Sequence, residues 1–158
     1  MILQPRVPLT QNVLCRHDES TGVAEQGAVC YLSGDKKVAK ITASGQVPFG
    51  LLGQRVKGNM AGLPQNFEFP GEIGNSDARL GDPVLVYHGG IFETTYYIVS
   101  GSVTAGDPLY GCIVGASDQG KLCKDVLLAG AGAVAIALNS LTADETSALK
   151  PLLIKLAL

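Results

Sequence analysis

Charge is what this chain has least of. Charged residues make up 16% of its 158 positions and the net charge is −2, against about 25% charged in an ordinary soluble domain. Such a deficit fits a surface given over to other protein, and it equally fits the charge-poor make-up of small Gly-rich β domains. Lys and Arg never run longer than the pair Lys36-Lys37, so the basic footprint that nucleic-acid binding needs is missing. Tryptophan is absent and only two histidines, His17 and His88, occur. Four cysteines stand at 15, 30, 112 and 123 with no Cys-x-x-Cys spacing. That pattern gives no zinc ligand set, and no metal or cofactor is expected.

Long apolar runs are missing too. The longest uncharged apolar run, Val126 to Leu138, has 13 residues rich in Gly and Ala, short of the roughly 18 needed to span a bilayer. It reads as a buried strand and its approach, so no membrane partner is expected. Met1-Ile-Leu-Gln-Pro-Arg6 does not read as a secretory signal, having no charged start before a long apolar stretch.

The motifs of nucleophilic, phosphate-binding and metalloprotease sites are absent as well, and no catalytic residue is assigned. Gly130-Ala-Gly-Ala133 precedes a strand pattern rather than a helix, which argues against a phosphate loop. The acids Asp18-Glu19 and Asp144-Glu145 are accounted for by solvation in a polar turn and by a helix N-terminus. Cys15-Arg16-His17 reads as a solvated surface turn. Tyr87, Phe92, Tyr96 and Tyr97 fit cross-strand core and interface pairs better than a sugar platform.

What is present is one hairpin pattern written three times. Gly27-Ala-Val-Cys-Tyr31 turns at Ser33 to Asp35 and returns as Lys37 to Lys40. Gly81-Asp-Pro-Val-Leu-Val-Tyr87 turns at His88-Gly89-Gly90 and returns as Ile91 to Thr94. Gly106-Asp-Pro-Leu-Tyr110, continuing to Val114, turns near Ser117 to Gly120 and returns as Lys121 to Lys124. Each has a Gly corner, an apolar β-prone run, a Gly-containing turn and an alternating return. In the third, a turn about Ser117-Asp118 would set Cys112 opposite Cys123; buried free thiols are expected, because adjacent-strand disulfides are strained. A small-residue strand follows the first copy (Phe49 to Gln54) and the third (Ala133 to Ser140). The chain therefore reads as two related halves.

The expected fold is mainly β: a small barrel or sandwich of Gly-rich hairpins. Residues 1–26 read as an extended N-terminal arm, with Pro5 and Pro8 removing ladder donors, and residues 27–158 as a single barrel-like domain. Residues 59–80 carry no periodicity and read as a long loop suited to a partner contact. Thr142-Ala-Asp-Glu145 is a capping box that predicts one short helix, stopped by Pro151. Leu152 to Leu158 reads as a final apolar strand that must be paired.

Several of these stretches together resemble the head decoration, or cement, proteins of tailed bacteriophages. They are Gly27-Ala-Val-Cys-Tyr31 with its return strand, Phe49-Gly-Leu-Leu-Gly53, Ala105-Gly-Asp-Pro-Leu-Tyr110, Gly120-Lys-Leu122 and Val134 to Thr142. The resemblance covers roughly residues 27–158 and rests on hairpin grammar. It implies a virion structural protein, made in the host cytoplasm and placed on the outer surface of the capsid. There a homotrimer would bridge neighbouring major capsid subunits and stabilise the expanded shell, with no enzyme activity. An N-terminal arm commonly reaches the capsid in such proteins. Two alternatives stay open: a head-fibre or carbohydrate-binding β-barrel module, and a lipoyl-like carrier with Lys36 or Lys37 at its hairpin tip.

Overall fold

A computed structural model describes residues 4–5, 11–18, 20, 22–57, 77–126 and 129–158. It is mainly β, with one short helix near the C-terminus. The elements in chain order are β1 (Gln4–Pro5), β2 (Gln11–His17), β3 (Val29–Gly34), β4 (Lys37–Lys40), β5 (Pro48–Leu52), β6 (Val56–Lys57), β7 (Ala78–Arg79), β8 (Pro83–Gly89), β9 (Ile91–Thr94), β10 (Tyr97–Ile98), β11 (Pro108–Cys112), β12 (Leu122–Cys123), β13 (Ala129–Ala137), α1 (Ala143–Ser147) and β14 (Leu152–Leu156).

Strands β2-β4-β3-β5-β8 form a closed barrel, called barrel 1 below. Its interior is built from Cys15, Cys30, Val38, Leu52, Val84 and Val86. The remaining large sheet runs β1-β9-β14-β13-β11-β12-β10. Its edges are β1 and β10, and β9, which lies next to β1, and β10 are successive pieces of one run interrupted only by Thr95 and Tyr96. The chain itself therefore joins them, and β9/β10-β12-β11-β13-β14 is a second ring, barrel 2. Phe92, Tyr97, Leu109, Leu122, Leu152 and Ile154 fill it.

The two rings share one wiring diagram. In barrel 1, β3 pairs antiparallel with both β4 and β5, β5 with β8, and β8 with β2, while β2 runs parallel to β4. In barrel 2, β11 pairs antiparallel with both β12 and β13, β13 with β14, and β14 with β9, while β10 runs parallel to β12. The registers coincide as well. The row Val29↔Leu51↔Tyr87 corresponds to Pro108↔Ile136↔Lys155. A bulge falls at the same place: between Cys30 and Tyr31 the partner jumps from Gly50 to Pro48, and between Leu109 and Tyr110 it jumps from Ala135 to Ala133. His17 opposite Val38 corresponds to Tyr97 opposite Leu122.

The corners repeat in the same frame. Gly27 (φ 85) and Gly106 (φ 98) each stand two residues before the first strand of their hairpin. Gly81 (φ 83) precedes Pro83 as Leu149 (φ 50) precedes Pro151. These left-handed positions explain why glycine recurs, since a side chain there is strained. Leu149 carries that strain in the second copy. One residue is added between Thr94 and Tyr97 relative to Cys15 and His17, which is the break separating β9 from β10.

Three expectations are corrected. The second hairpin is not one: β8 belongs to barrel 1 and β9 to barrel 2, and Gly90 (φ 124) turns the chain from one ring into the other. In the third hairpin Cys123 faces Tyr110, not Cys112, and Gly111 faces Leu122, two residues out of the expected register. The Gly115–Gly120 turn is asymmetric, closing with the Gly120 N–H on Cys112 O and the Cys112 N–H on Lys121 O, both at 2.8 Å. Finally, of the segment 1–26 read as an arm, Gln11–His17 is a full strand of barrel 1, paired with β8 on one side and β4 on the other.

Other expectations are met. Thr142 Oγ1 accepts from the Glu145 N–H at 3.3 Å and a Glu145 carboxylate oxygen accepts from the Thr142 N–H at 2.9 Å, a complete capping box on α1. The final strand β14 is paired on both sides, by β13 and β9, so its apolar residues present no free edge. Most of the 59–80 loop lies outside the described residues; its two ends are brought side by side by the parallel pair β6–β7.

Candidate interaction surfaces

The reactive side chains are dispersed and mostly buried. Cys15-Arg16-His17 is not a surface turn: alternation along β2 buries Cys15 and His17 inside barrel 1 and exposes Arg16. The His17 nitrogens find no hydrogen-bond partner, and burial lowers its pKa, opposed by the neighbouring Asp18 carboxylate. Asp18 accepts from the Ser20 hydroxyl at 2.7 Å and from its N–H at 3.0 Å, bonds that hold its carboxyl at about 2. The Asp144-Glu145 pair occupies the first turn of α1, and Glu145 is engaged in the capping box. Among the described residues no group of three His, Cys, Asp or Glu could hold a metal, and no helix is long and apolar enough to cross a membrane.

All four cysteines are free and buried. Burial and the adjacent Cys112 push the Cys123 thiol up to about 12, and Cys30 is raised further still. Neither is a nucleophile in the folded chain. The aromatics are divided between core and seam. Tyr97 is buried in barrel 2 and donates its hydroxyl to Lys150 O at 2.7 Å. Tyr87 projects from barrel 1 on to Phe92, with ring centroids 4.9 Å apart. Lys121 Nζ lies 5.9 Å from the Tyr96 ring centroid. They form no common exposed platform.

What the surface offers is apolar. On barrel 1, Tyr31, Leu32, Val47, Pro48 and Phe49 line an open groove of about 410 Å³. Leu32 is 50% and Val47 70% exposed. Phe49 is the bulged residue of β5, and its ring stacks towards His88 at 6.5 Å. On barrel 2, the row Pro108↔Ile136↔Lys155↔Ile91 crosses the outer face of β11, β13, β14 and β9. Pro108, Ile136 and Lys155 are exposed there, and Leu138 (38% exposed) follows directly after β13.

Neither surface is legible in the sequence. Leu32 and Ile136 sit inside ordinary strand patterns, and only the register shows which way each one faces. Comparison with protein-family models and with curated proteins returns no match.

Proposed function

We propose that this chain is a capsid decoration protein of a tailed bacteriophage, which binds the outer surface of the head and stabilises the expanded shell by bridging major capsid subunits. The observation that carries the reading is the combination of the resembling hairpin motifs with a closed barrel and a second ring of the same wiring that leave apolar surface outside. Side chains fill the interiors of both barrels among the described residues, so the reading places the contacts on the outer faces. Exposed apolar groups rimmed by polar residues mark such faces. Low charge suits a protein with several interfaces per subunit. A protein that binds only the expanded lattice stabilises that lattice by mass action, and a homotrimer would let individually weak contacts act together.

The carbohydrate-binding alternative draws less support, because Phe92 and Tyr97 are buried and Tyr87 is engaged with Phe92. The decisive experiment mixes the purified chain with expanded bacteriophage capsids that carry no decoration protein. Co-sedimentation at saturable stoichiometry, with a raised temperature of capsid disruption, is the expected result. Absence of binding to expanded shells, together with hits on a glycan array, would overturn the reading.

A further inference from the structure

The internal repeat shows what covers a barrel face. In barrel 1 the outer row Val29–Leu51–Tyr87, with Ile41, is covered by barrel 2, completely at Val29, Leu51 and Ile41 and partly at Tyr87. Val29, Ile41 and Leu51 are completely buried and join the core of barrel 2. They plug the end of that barrel at Gly111, where an added Cβ would lie 2.9 Å from both Val29 Cγ1 and Ile41 Cγ2. The Val29 N–H donates to Gly120 O across this seam at 2.8 Å. The contact is head to tail: the outer row of one barrel enters the end of the next.

Each partner in that contact has an unused counterpart. The row equivalent to Val29–Leu51–Tyr87 is Pro108–Ile136–Lys155 on barrel 2, which is exposed. The residue equivalent to Gly111, by the shared register, is Leu32 on barrel 1, because Leu32 faces Val38 as Gly111 faces Leu122. Val134, the bulged residue of β13, has Phe49 as its equivalent. Leu32 and Phe49 line the open groove. A molecule that carries a free counterpart of each side of the seam holds the two halves of a heterologous, head-to-tail contact.

We infer that the occupant of both surfaces is a second copy of this chain: the Pro108–Ile136–Lys155 row of one copy docks at the Leu32–Phe49 groove of the next. The contact between copies differs from the one within. Leu32 replaces a glycine, Lys155 and Asp125 stand where Tyr87 and Ile41 stand in barrel 1, and the Gly115–Gly120 loop that grips barrel 1 has only the tight Asp35–Lys36 turn as its counterpart. It is therefore wetter and weaker than the covalently tethered seam. The inference rests on the repeat and not on the capsid reading: self-association without capsid binding would sink only the latter, and capsid binding by a strict monomer only the former.

The test is sedimentation velocity and light scattering from about 1 μM to about 1 mM, a range that covers weak self-association. Wild type should rise above monomer mass with concentration. Ile136→Glu and Leu32→Glu should each remain monomeric at concentrations where wild type associates, with unchanged circular dichroism and melting temperature. Mixed in equal amounts they should form a 1:1 dimer that grows no further, because each retains the face the other has lost. Ile136→Ser and Leu32→Ser serve if a glutamate variant does not fold. A wild type that stays monomeric throughout, variants that assemble like wild type, or a mixture that stays monomeric would each overturn the inference.

Discussion

Replacing Gly111 by alanine probes the seam between the barrels at its tightest point. The new methyl would stand 2.9 Å from Ile41 Cγ2, 2.9 Å from Val29 Cγ1 and 3.1 Å from Val29 Cβ, against an optimal carbon–carbon separation of roughly 3.5 to 4.0 Å. Neither neighbour can swing aside cheaply: both are β-branched, hence stiff at χ1, and both are completely buried. Overpacking of this kind costs about 1–3 kcal/mol. In a chain of this length each kcal/mol moves the melting temperature by about 2–4 °C, so a fall of about 2–12 °C is expected. Val29→Ala alone should also destabilise, by about 2 kcal/mol for two methyls and the space they leave. In the double variant the methyl added at position 111 occupies part of that space, so the combined loss should fall short of the sum by about 1 kcal/mol or more. Urea unfolding of all four forms gives the cycle. A neutral Gly111→Ala, or strictly additive losses, would refute the account of the seam.

Three further outcomes follow from the described residues. Because burial lowers the His17 pKa, the folded chain binds fewer protons than the unfolded one. His17 therefore costs least above the unfolded value near 6.5, and stability falls as pH drops from there towards the lowered folded value. His17→Leu should remove that slope in urea titrations at several pH values and raise stability at neutral pH by about 1–3 kcal/mol, the cost of leaving buried polar atoms unpaired. Thr142→Ala should cost about 1 kcal/mol through loss of the capping box, seen as earlier hydrogen exchange across α1. The four thiols should resist a thiol-reactive chromophore in the native state and all react in denaturant; prompt native labelling of Cys123 would contradict its burial and its pKa of about 12.

The legible parts of this fold are those where local chemistry dictates geometry. Gly27, Gly81 and Gly106 adopt left-handed backbone, and Thr142 with Glu145 starts the only helix among the described residues. The hidden parts depend on which ladder a strand joins. Nothing local separates a hairpin at Gly90 from a crossing between rings. β2 runs against hydropathy, with Leu14 66% exposed and His17 buried, so its alternation does not read as a barrel strand. The two-halves pattern is visible as grammar. Its residue-by-residue form, with Tyr31 matching Tyr110 and Lys37 matching Lys121, emerges only once both registers and their shared bulge are known. The candidate surfaces are legible last, because exposure of Leu32 and Ile136 is a property of what lies opposite each barrel.

The repeat also changes how the N-terminal segment should be cut. Read as an arm, residues 1–26 are a natural deletion that leaves a folded barrel behind. In the fold, Gln11–His17 supplies the strand that joins β8 to β4, and Cys15 and His17 are part of the barrel 1 interior. Removing it would open barrel 1 along two ladders and expose both unpaired edges, a template for aggregation. The damage would not stop there. Val29, Ile41 and Leu51 of barrel 1 are core residues of barrel 2, so a loosened first ring unplugs the second. Barrel 2 cannot compensate, since β14, β13 and β11 already have both their neighbours. Loss of capsid binding in a deletion reaching residue 26 would therefore report unfolding. A cut ahead of Gln11 removes only the two-residue pairing of β1 with β9 and leaves the ladders that close both rings, so it separates a contact made by the N-terminal residues from the integrity of two barrels that share one core.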